Sequence, residues 1–496
     1  MLRLILLLLA AATVAAQAQS VAIIAVGADP GQLNPAISTA GPAHTVADTI
    51  FSGLVTLDED GTARPDLARS WAATDGPAGP GTIWRFALDP SARWHDGTPF
   101  SSADVVYTFT EVLFRYHARA RAGLAPAVAA IEAPDPHTVV FRLSRPNPAF
   151  LAQLDVTEAP ILPQHLYAGT DPRTNPVNGA PIGTGPFRFV AHRHDDRVVL
   201  ERVSGHGFDR LLFRIIADPT LQAAALLRGE VDYLARVALK DAARLAAMPD
   251  VTLHRVRGGP GGSNCVMTLA FNMDRVALPL RRALALAVDR EAMLHRFAYG
   301  QGGVSWGLLS SGLGDFPIQA VIPAADRVPE APPRLDIVAF ASFRRWVEAL
   351  QADFARIGIT ARSRLLDPAA TAEAVFARRD FDLSVISYCH GPDPEIGARR
   401  LFDSAAIGVP FGNAAGFHAP EVDALLAEAS ASPEHAERVA AWRDIQARAL
   451  AELPYWPLVE VDLLVAWRNT ASGWAPWSGR FADRARPAGA APRQDR

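Results

Sequence analysis

Two short runs bring side chains suited to metal or acid–base chemistry close together in the chain. His192-Arg193-His194-Asp195-Asp196 offers two imidazoles and two carboxylates in sequence, a donor set that suits a borderline divalent ion. His95-Asp96 has the composition of a general-base pair. Each has a plainer reading. The first run lies between apolar stretches at 187–190 and 198–200, so it falls in the turn of a hairpin, and no distant Glu or His stands at a recognisable metal spacing. The second runs into Gly97, and Asp-Gly is a hairpin-turn dipeptide. Gly183-Thr184-Gly185-Pro186 resembles a phosphate loop only superficially, because no Gly-Lys-Ser/Thr opens a helix after it. It reads instead as a tight turn in which Gly takes positive φ and Pro fixes the exit. No Gly-x-Ser-x-Gly elbow is present, and neither Cys265 nor Cys389 carries a hydrolase signature. The expectation is therefore no catalytic residue, no metal ligand and no cofactor.

The elements that must position these runs alternate between strand and helix. Residues 21–26 form an apolar, β-branched run ended by Gly27, Asp29 and Pro30, which suits a buried strand. Helical periodicity follows over 43–54, and 84–88 alternates as a half-buried strand does. Ser101 and Asp104 are spaced as a capping box for a helix over 105–116. Further helices are expected over 220–228, 280–288, 290–299, 343–357, 420–430 and 434–452, with strands over 335–340, 381–387 and 459–467. This pattern predicts mixed α/β lobes. The Pro-, Gly- and Ala-rich stretch 312–334 reads as a surface connection, and the tail from 487 as frayed.

With 496 residues the chain exceeds what one core serves, so two or three lobes are expected. Lys+Arg 48 against Asp+Glu 52 gives a formal charge of −4, without the basic excess of a nucleic-acid binder. At the start, Arg3 precedes an apolar run over 4–16, and Ala16-Gln17-Ala18 fits the small-x-small rule for a secretory leader cleaved after Ala18. As a helix that run spans roughly 20 Å, short of a hydrocarbon core of about 30 Å. No Cys follows it, so a lipid anchor is not expected, and the periplasm is the predicted compartment. In an oxidising compartment Cys265 and Cys389 are a candidate disulfide, the alternative being two buried thiols.

Six runs in order resemble the peptide/nickel class of extracellular solute-binding proteins, family five, which serve ABC importers. They are Asp66-Leu67-Ala68-Arg69-Ser70-Trp71; Trp94-His95-Asp96-Gly97-Thr98-Pro99-Phe100 with Ala103-Asp104-Val105-Val106-Tyr107; Pro181-Ile182-Gly183-Thr184-Gly185-Pro186-Phe187; Leu227-Arg228-Gly229-Glu230-Val231-Asp232; Ala287-Val288-Asp289-Arg290-Glu291; and Pro420-Glu421-Val422-Asp423-Ala424-Leu425-Leu426. The resemblance implies a bilobal periplasmic-binding-protein fold (type II, cluster C) with an extra third domain on the first lobe. The implied division is a leader at 1–18, lobe I at 19–45 and 171–262, the extra domain at 46–170, lobe II at 263–464, and a return to lobe I with the tail at 465–496. The chain then crosses between lobes near Cys265 and near Val465. Ligand is held in the cleft by hinge closure, and a monomer is expected to deliver it to a membrane permease and its ATPase. Presentation to a chemoreceptor uses the same closure and stays open, as does a non-peptide ligand such as a nickel chelate, an opine or an oligosaccharide.

In peptide-binding relatives an acidic residue two positions after the cysteine grips the ligand amine. Here that position is Gly391, and Asp393 is the nearest substitute or merely starts a turn before Pro394. The same segment offers Tyr388 and His390. Arg399 and Arg400 suit a carboxylate, Phe411 and Asn413 stand where the family has its second cleft loop, and Trp306 is a candidate apolar wall. Asn34, after the first strand, is placed where relatives line the cleft, or it caps a turn.

Overall fold

The computed structural model describes residues 19–38, 40–117, 119–256, 264–319 and 334–489; the leader, part of the 312–334 stretch and the last residues of the tail lie outside these. Among the described residues no helix is long and apolar enough to cross a membrane.

The strand Val21–Val26 runs at the centre of a seven-stranded sheet. It pairs in parallel with Arg210–Ile215 on one side and Tyr233–Leu234 on the other, with Ile24 opposite Phe213 and Tyr233. The crossover helix Pro219–Arg228 links those two neighbours. Asp218 caps it by accepting from the Thr220 amide at 2.7 Å, Pro219 starts it, and Gly229 ends it in the left-handed region at φ 74°. The hairpin Phe187–Arg193/Arg197–Arg202 completes one edge. Its turn is tighter than the sequence suggests, because His192 and Arg193 still pair with Val198 and Arg197 and only residues 194–196 turn.

A six-stranded sheet forms the second lobe around Asn264–Phe271, Leu383–His390 and Leu335–Phe340. The helix Arg344–Arg356 joins the parallel strands Leu335–Phe340 and Ala361–Leu366 and buries Val347, Leu350 and Phe354, which share one face. Cys265 and Cys389 lie directly opposite each other in adjacent antiparallel strands and are joined by a disulfide.

The chain enters this lobe between Val256 and Asn264. It leaves at Asp462. The single strand expected over 459–467 is two strands, Tyr455–Val461 in the second sheet and Leu463–Arg468 in the first. An apolar run reads the same whether it stays in one sheet or changes sheets, since side-chain alternation reports only local pleat.

A four-stranded antiparallel sheet, Ala68–Gly76, Gly79–Leu88, Thr138–Leu143 and Val128–Asp135, makes the third unit. Phe86, Phe109, Phe141 and Phe150 pack within it at centroid distances of 5.1 to 6.4 Å. Asp104 accepts from the Ser101 amide at 2.9 Å, as the capping box requires. The helix it opens, Ser102–Tyr107, widens to π geometry over Thr108–Leu113 before closing again at Phe114–Tyr116. The Thr108 and Thr110 hydroxyls donate back to the carbonyls of Asp104 and Val106 at 2.7 and 2.9 Å, competing with regular helical spacing.

Ile24, Phe51, Phe86, Phe141, Phe213 and Phe481 belong to one continuous apolar core, so the third unit and the first lobe share an interior. The second lobe has separate cores around Trp442 and Phe354. The two lobes therefore have separate interiors, linked by the two crossings.

Candidate functional site

The motif residues build the frame. His95 clamps the Gly183–Pro186 turn: its main chain donates to Gly183 O at 2.9 Å, its Nε2 donates to Gly185 O at 2.9 Å, and its Nδ1 accepts from the Gly183 amide at 3.3 Å. Burial pushes this imidazole down, which suits a neutral ring with one donor and one acceptor. Neither Gly183 nor Gly185 has positive φ. They are glycines because a Cβ at Gly183 would stand 2.0 Å from Ile50 O and one at Gly185 2.7 Å from the Ile50 carbonyl carbon. Close approach replaces the turn geometry expected from the sequence. Asp66 of the first motif meets Arg480 of the C-terminal return at 3.1 Å and accepts from the Gly53 amide at 3.2 Å, tying that return to the third unit.

A cavity of about 600 Å³ opens at the carboxyl ends of the parallel strands of the seven-stranded sheet. Open α/β sheets bind ligands at this edge. Its lining comes from Gly27 after the central strand, His44 and Asp48 on the helix Gly41–Ala47 and the turn that follows, Arg119 of the third unit, Arg236, and Phe481 of the C-terminal return. His44 Nδ1 lies 2.9 Å from Asp48 Oδ1 and Nε2 2.8 Å from Ser38 O. Burial pushes His44 down, but the Asp48 charge and hydrogen bond outweigh it and leave the ring above its ordinary value. Arg119 pairs with Glu158 at 3.0 Å and is exposed over part of its surface. No motif marks these residues. The i, i+4 spacing of His44 and Asp48 on an expected helix is the one sequence signal that points at them.

On the second lobe, the strand Leu383–His390 leads into the segment singled out by sequence. Tyr388 is buried, donates to Gly412 O at 3.0 Å and packs edge-on against Tyr455. His390 is buried with neither ring nitrogen hydrogen-bonded. Burial, reinforced by the Arg400 charge, holds it neutral with a pKa near 3. A Cβ at Gly391 would stand 2.7 Å from Ile396 Cγ2, so an acidic side chain has no room there. Asp393 is bound to Arg438 and accepts from the Glu395 amide at 2.9 Å. Arg399 reaches Glu395 at 3.3 Å, Asp403 at 3.1 Å and Ser430 Oγ at 2.7 Å, an internal tie. Arg400 lies over the Tyr388 ring at 5.9 Å, with its Nε lacking a partner. Burial, with a further push from the Arg119 charge, lowers its pKa. Arg119 of the third unit is close enough for its like charge to be felt at Arg400 of the second lobe.

The remaining candidates sit elsewhere. Asn34 is fully buried and bonds Asn178 Oδ1 at 2.9 Å and the Ala36 amide at 3.0 Å, inside the first lobe. Asn413 is buried between Phe417 O at 2.7 Å and the amides of Gly416 and Phe417, both at 3.0 Å. Phe411, at φ 60° and exposed, packs against Phe376 with the rings tilted at 44°. Trp306 covers Arg290, whose guanidinium also lies over Trp456 at 4.5 Å. His192 and His194, for which no distant Glu or His stands at a recognisable metal spacing in the sequence, both face Asp29.

A family profile for bacterial extracellular solute-binding proteins, family 5 Middle, matches residues 62–331, more than half of the chain. The chain belongs to this family. It is 26% identical over 495 residues to the probable D,D-dipeptide-binding periplasmic protein DdpA of Escherichia coli K12, covering 92% of each. In three dimensions it is similar to the ABC transporter-associated periplasmic binding protein DppA of Helicobacter pylori in complex with peptide STSA, at TM-score 0.77 and 19% identity over 95% of this chain and 98% of that one. It is also similar to the binding protein AgaA of A. tumefaciens R10 in complex with agropinic acid, at TM-score 0.73 and 23% identity over 96% of this chain and all of that one. The bilobal fold expected from the sequence is thereby established, as is a place among solute-binding proteins.

Proposed function

We propose that this protein is the periplasmic capture component of an ABC importer and that it closes over a short peptide or peptide-like solute bearing a carboxylate. The supporting observation is the cavity at the carboxyl edge of the first lobe, with Arg119 and Arg236 on its wall, and Arg400 of the second lobe within electrostatic reach of Arg119. Guanidiniums near one another favour an anionic group close to them, and closure removes water that would screen that attraction. A cavity of about 600 Å³ suits a solute of a few residues. The finer reading is a monomer, released from its leader after Ala18 without a lipid anchor, that hands its solute to a permease and ATPase and catalyses nothing.

Gly391 favours a second reading of the ligand. With no room for a carboxylate at that position and Asp393 held by Arg438, neither of these two positions supplies the amine grip of peptide-binding relatives, which suits a solute whose amine is blocked or substituted. A thermal-shift and calorimetric screen of di- to tetrapeptides, their N-acetylated forms, opines and nickel chelates tests both. Ligand raises the melting temperature through mass action. A response confined to carboxylate-bearing solutes, weakened in Arg400→Ala, is expected. A response only to uncharged or cationic solutes, or none to any member, overturns the proposal.

A further inference from the structure

Asp29 stands three residues beyond the central strand Val21–Val26, in a loop whose Gly27 lines the cleft cavity. Its two carboxylate oxygens have different surroundings. Oδ1 accepts from the Gly31 amide at 2.7 Å, which fixes the plane of the group. Oδ2 faces three nitrogens at once: His192 Nε2 at 3.0 Å, His194 Nδ1 at 3.1 Å and the Asp195 amide at 2.7 Å. One donor atom from each of Asp29, His192 and His194 lies within 4.8 Å of the other two. Asp29 and His192 are mostly buried, whereas His194 is three-quarters exposed.

We propose that Asp29, His192 and His194 form a binding site for a borderline divalent transition ion, Zn²⁺ foremost, on the rim of the first lobe. Bonds of about 2.0–2.1 Å in a tetrahedral site set neighbouring donors about 3.3 Å apart, close to the 3.0 and 3.1 Å found here. Two imidazole N–H groups and an amide converging on one carboxylate oxygen is a crowded arrangement. An ion takes the place of the two imidazole protons, which move to the other ring nitrogens as the neutral tautomers switch. His194 then offers Nε2–H to Asp195, whose Oδ2 lies 3.5 Å away, an outer carboxylate of the kind that orients ligating histidines. Asp195 adopts φ 55°, and this left-handed turn is what brings His194 back over Asp29. The fourth position opens to water. Imidazole and carboxylate donors favour Zn²⁺, Ni²⁺, Co²⁺ or Cu²⁺ over Mg²⁺ and Ca²⁺.

The site joins two segments that border the cleft. Asp196 O accepts from the Ile215 amide at 2.9 Å, so the hairpin turn is tied to the strand that continues into the cavity wall at Ala217 and Pro219. A bound ion cross-links that hairpin to the loop after the central strand.

The test uses tag-free mature protein stripped with chelator and titrated calorimetrically with ZnCl₂, with CoCl₂ followed by visible absorption, and with MgCl₂ as control. One Zn²⁺ per chain, a Co²⁺ band of low-coordinate intensity and no Mg²⁺ uptake are expected. His194→Gln, at an exposed position, is expected to lower Zn²⁺ affinity at least about tenfold while leaving the melting temperature of the metal-free protein unchanged. His192→Gln repeats the test from the strand. Zn²⁺ uptake identical in wild type and both variants places the ion elsewhere and overturns the proposal, as does no uptake by wild type.

Discussion

The Arg145 guanidinium, two residues beyond the strand Thr138–Leu143 of the third unit, donates to the Ser430 hydroxyl of the second lobe at 3.3 Å. The same hydroxyl accepts from Arg399 at 2.7 Å and donates to Glu395 Oε1 at 2.9 Å. Burial pushes the Glu395 carboxyl up while the Arg399 charge draws it down, and Arg145 stands 3.8 Å from it. This contact joins bodies with separate cores, so hinge opening of the lobes is expected to break it. Arg145→Ala is expected to lower solute affinity by about fivefold, roughly 1 kcal/mol for a partly exposed charged hydrogen bond. The melting temperature without solute should stay near wild type. Calorimetry with the solute found in the screen, alongside scattering of the free and bound forms, measures both; unaltered affinity would show that the contact carries no closure energy.

Asp66 and Arg480 make a buried pair that fastens the C-terminal return to the third unit. Asp66→Ala leaves the buried guanidinium with Asp483, at 3.1 Å, as its remaining carboxylate. The expected loss is about 3 kcal/mol, read as a lower denaturation midpoint at constant slope.

His44 gives the stability a defined pH dependence. Its folded pKa lies above the ordinary value, so its contribution is present in full below the unfolded pKa of about 6.5 and is lost as pH rises through the folded pKa. In the protonated ring both nitrogens donate, one to Asp48 and one to Ser38 O. The stability gap between wild type and His44→Gln should be wide at about pH 5.5 and narrow above the folded pKa. A gap that widens with rising pH would reverse the assignment.

Gly391→Asp places a carboxylate where peptide-binding relatives carry one, but against the Ile396 side chain. Overpacking of this kind costs about 1–3 kcal/mol. Lower stability with no gain in peptide affinity is the expected outcome in thermal melts and calorimetry.

The Cys265–Cys389 bridge closes a separation of 124 residues between strands that are already paired. Reduction is expected to lower stability by about 2–4 kcal/mol without abolishing folding, since the ladder from Asn264 to Phe271 remains. Denaturation with and without reductant measures it.

Local chemistry was legible in the chain. Asp218, Pro219 and Gly229 mark both ends of a helix, the run 335–340 is a strand to the residue, and the Ser101–Asp104 box closes where its spacing says. These depend on neighbours within a turn or a pleat, so residue types fix them. The order of motifs also sufficed for the family, because each motif sets a feature of the frame, such as the His95 clamp on Gly183 and Gly185. The switch of sheets at Asp462, the steric closure of position 391 by Ile396, the pairing of Asp393 with Arg438 and the meeting of Asp29 with two histidines needed the folded chain. Each joins groups whose proximity depends on which strands pair and which loops pack, and the energy of that choice is spread over the whole core. Side-chain type declares what a residue is able to do; the packing of distant segments decides whether a partner is there for it.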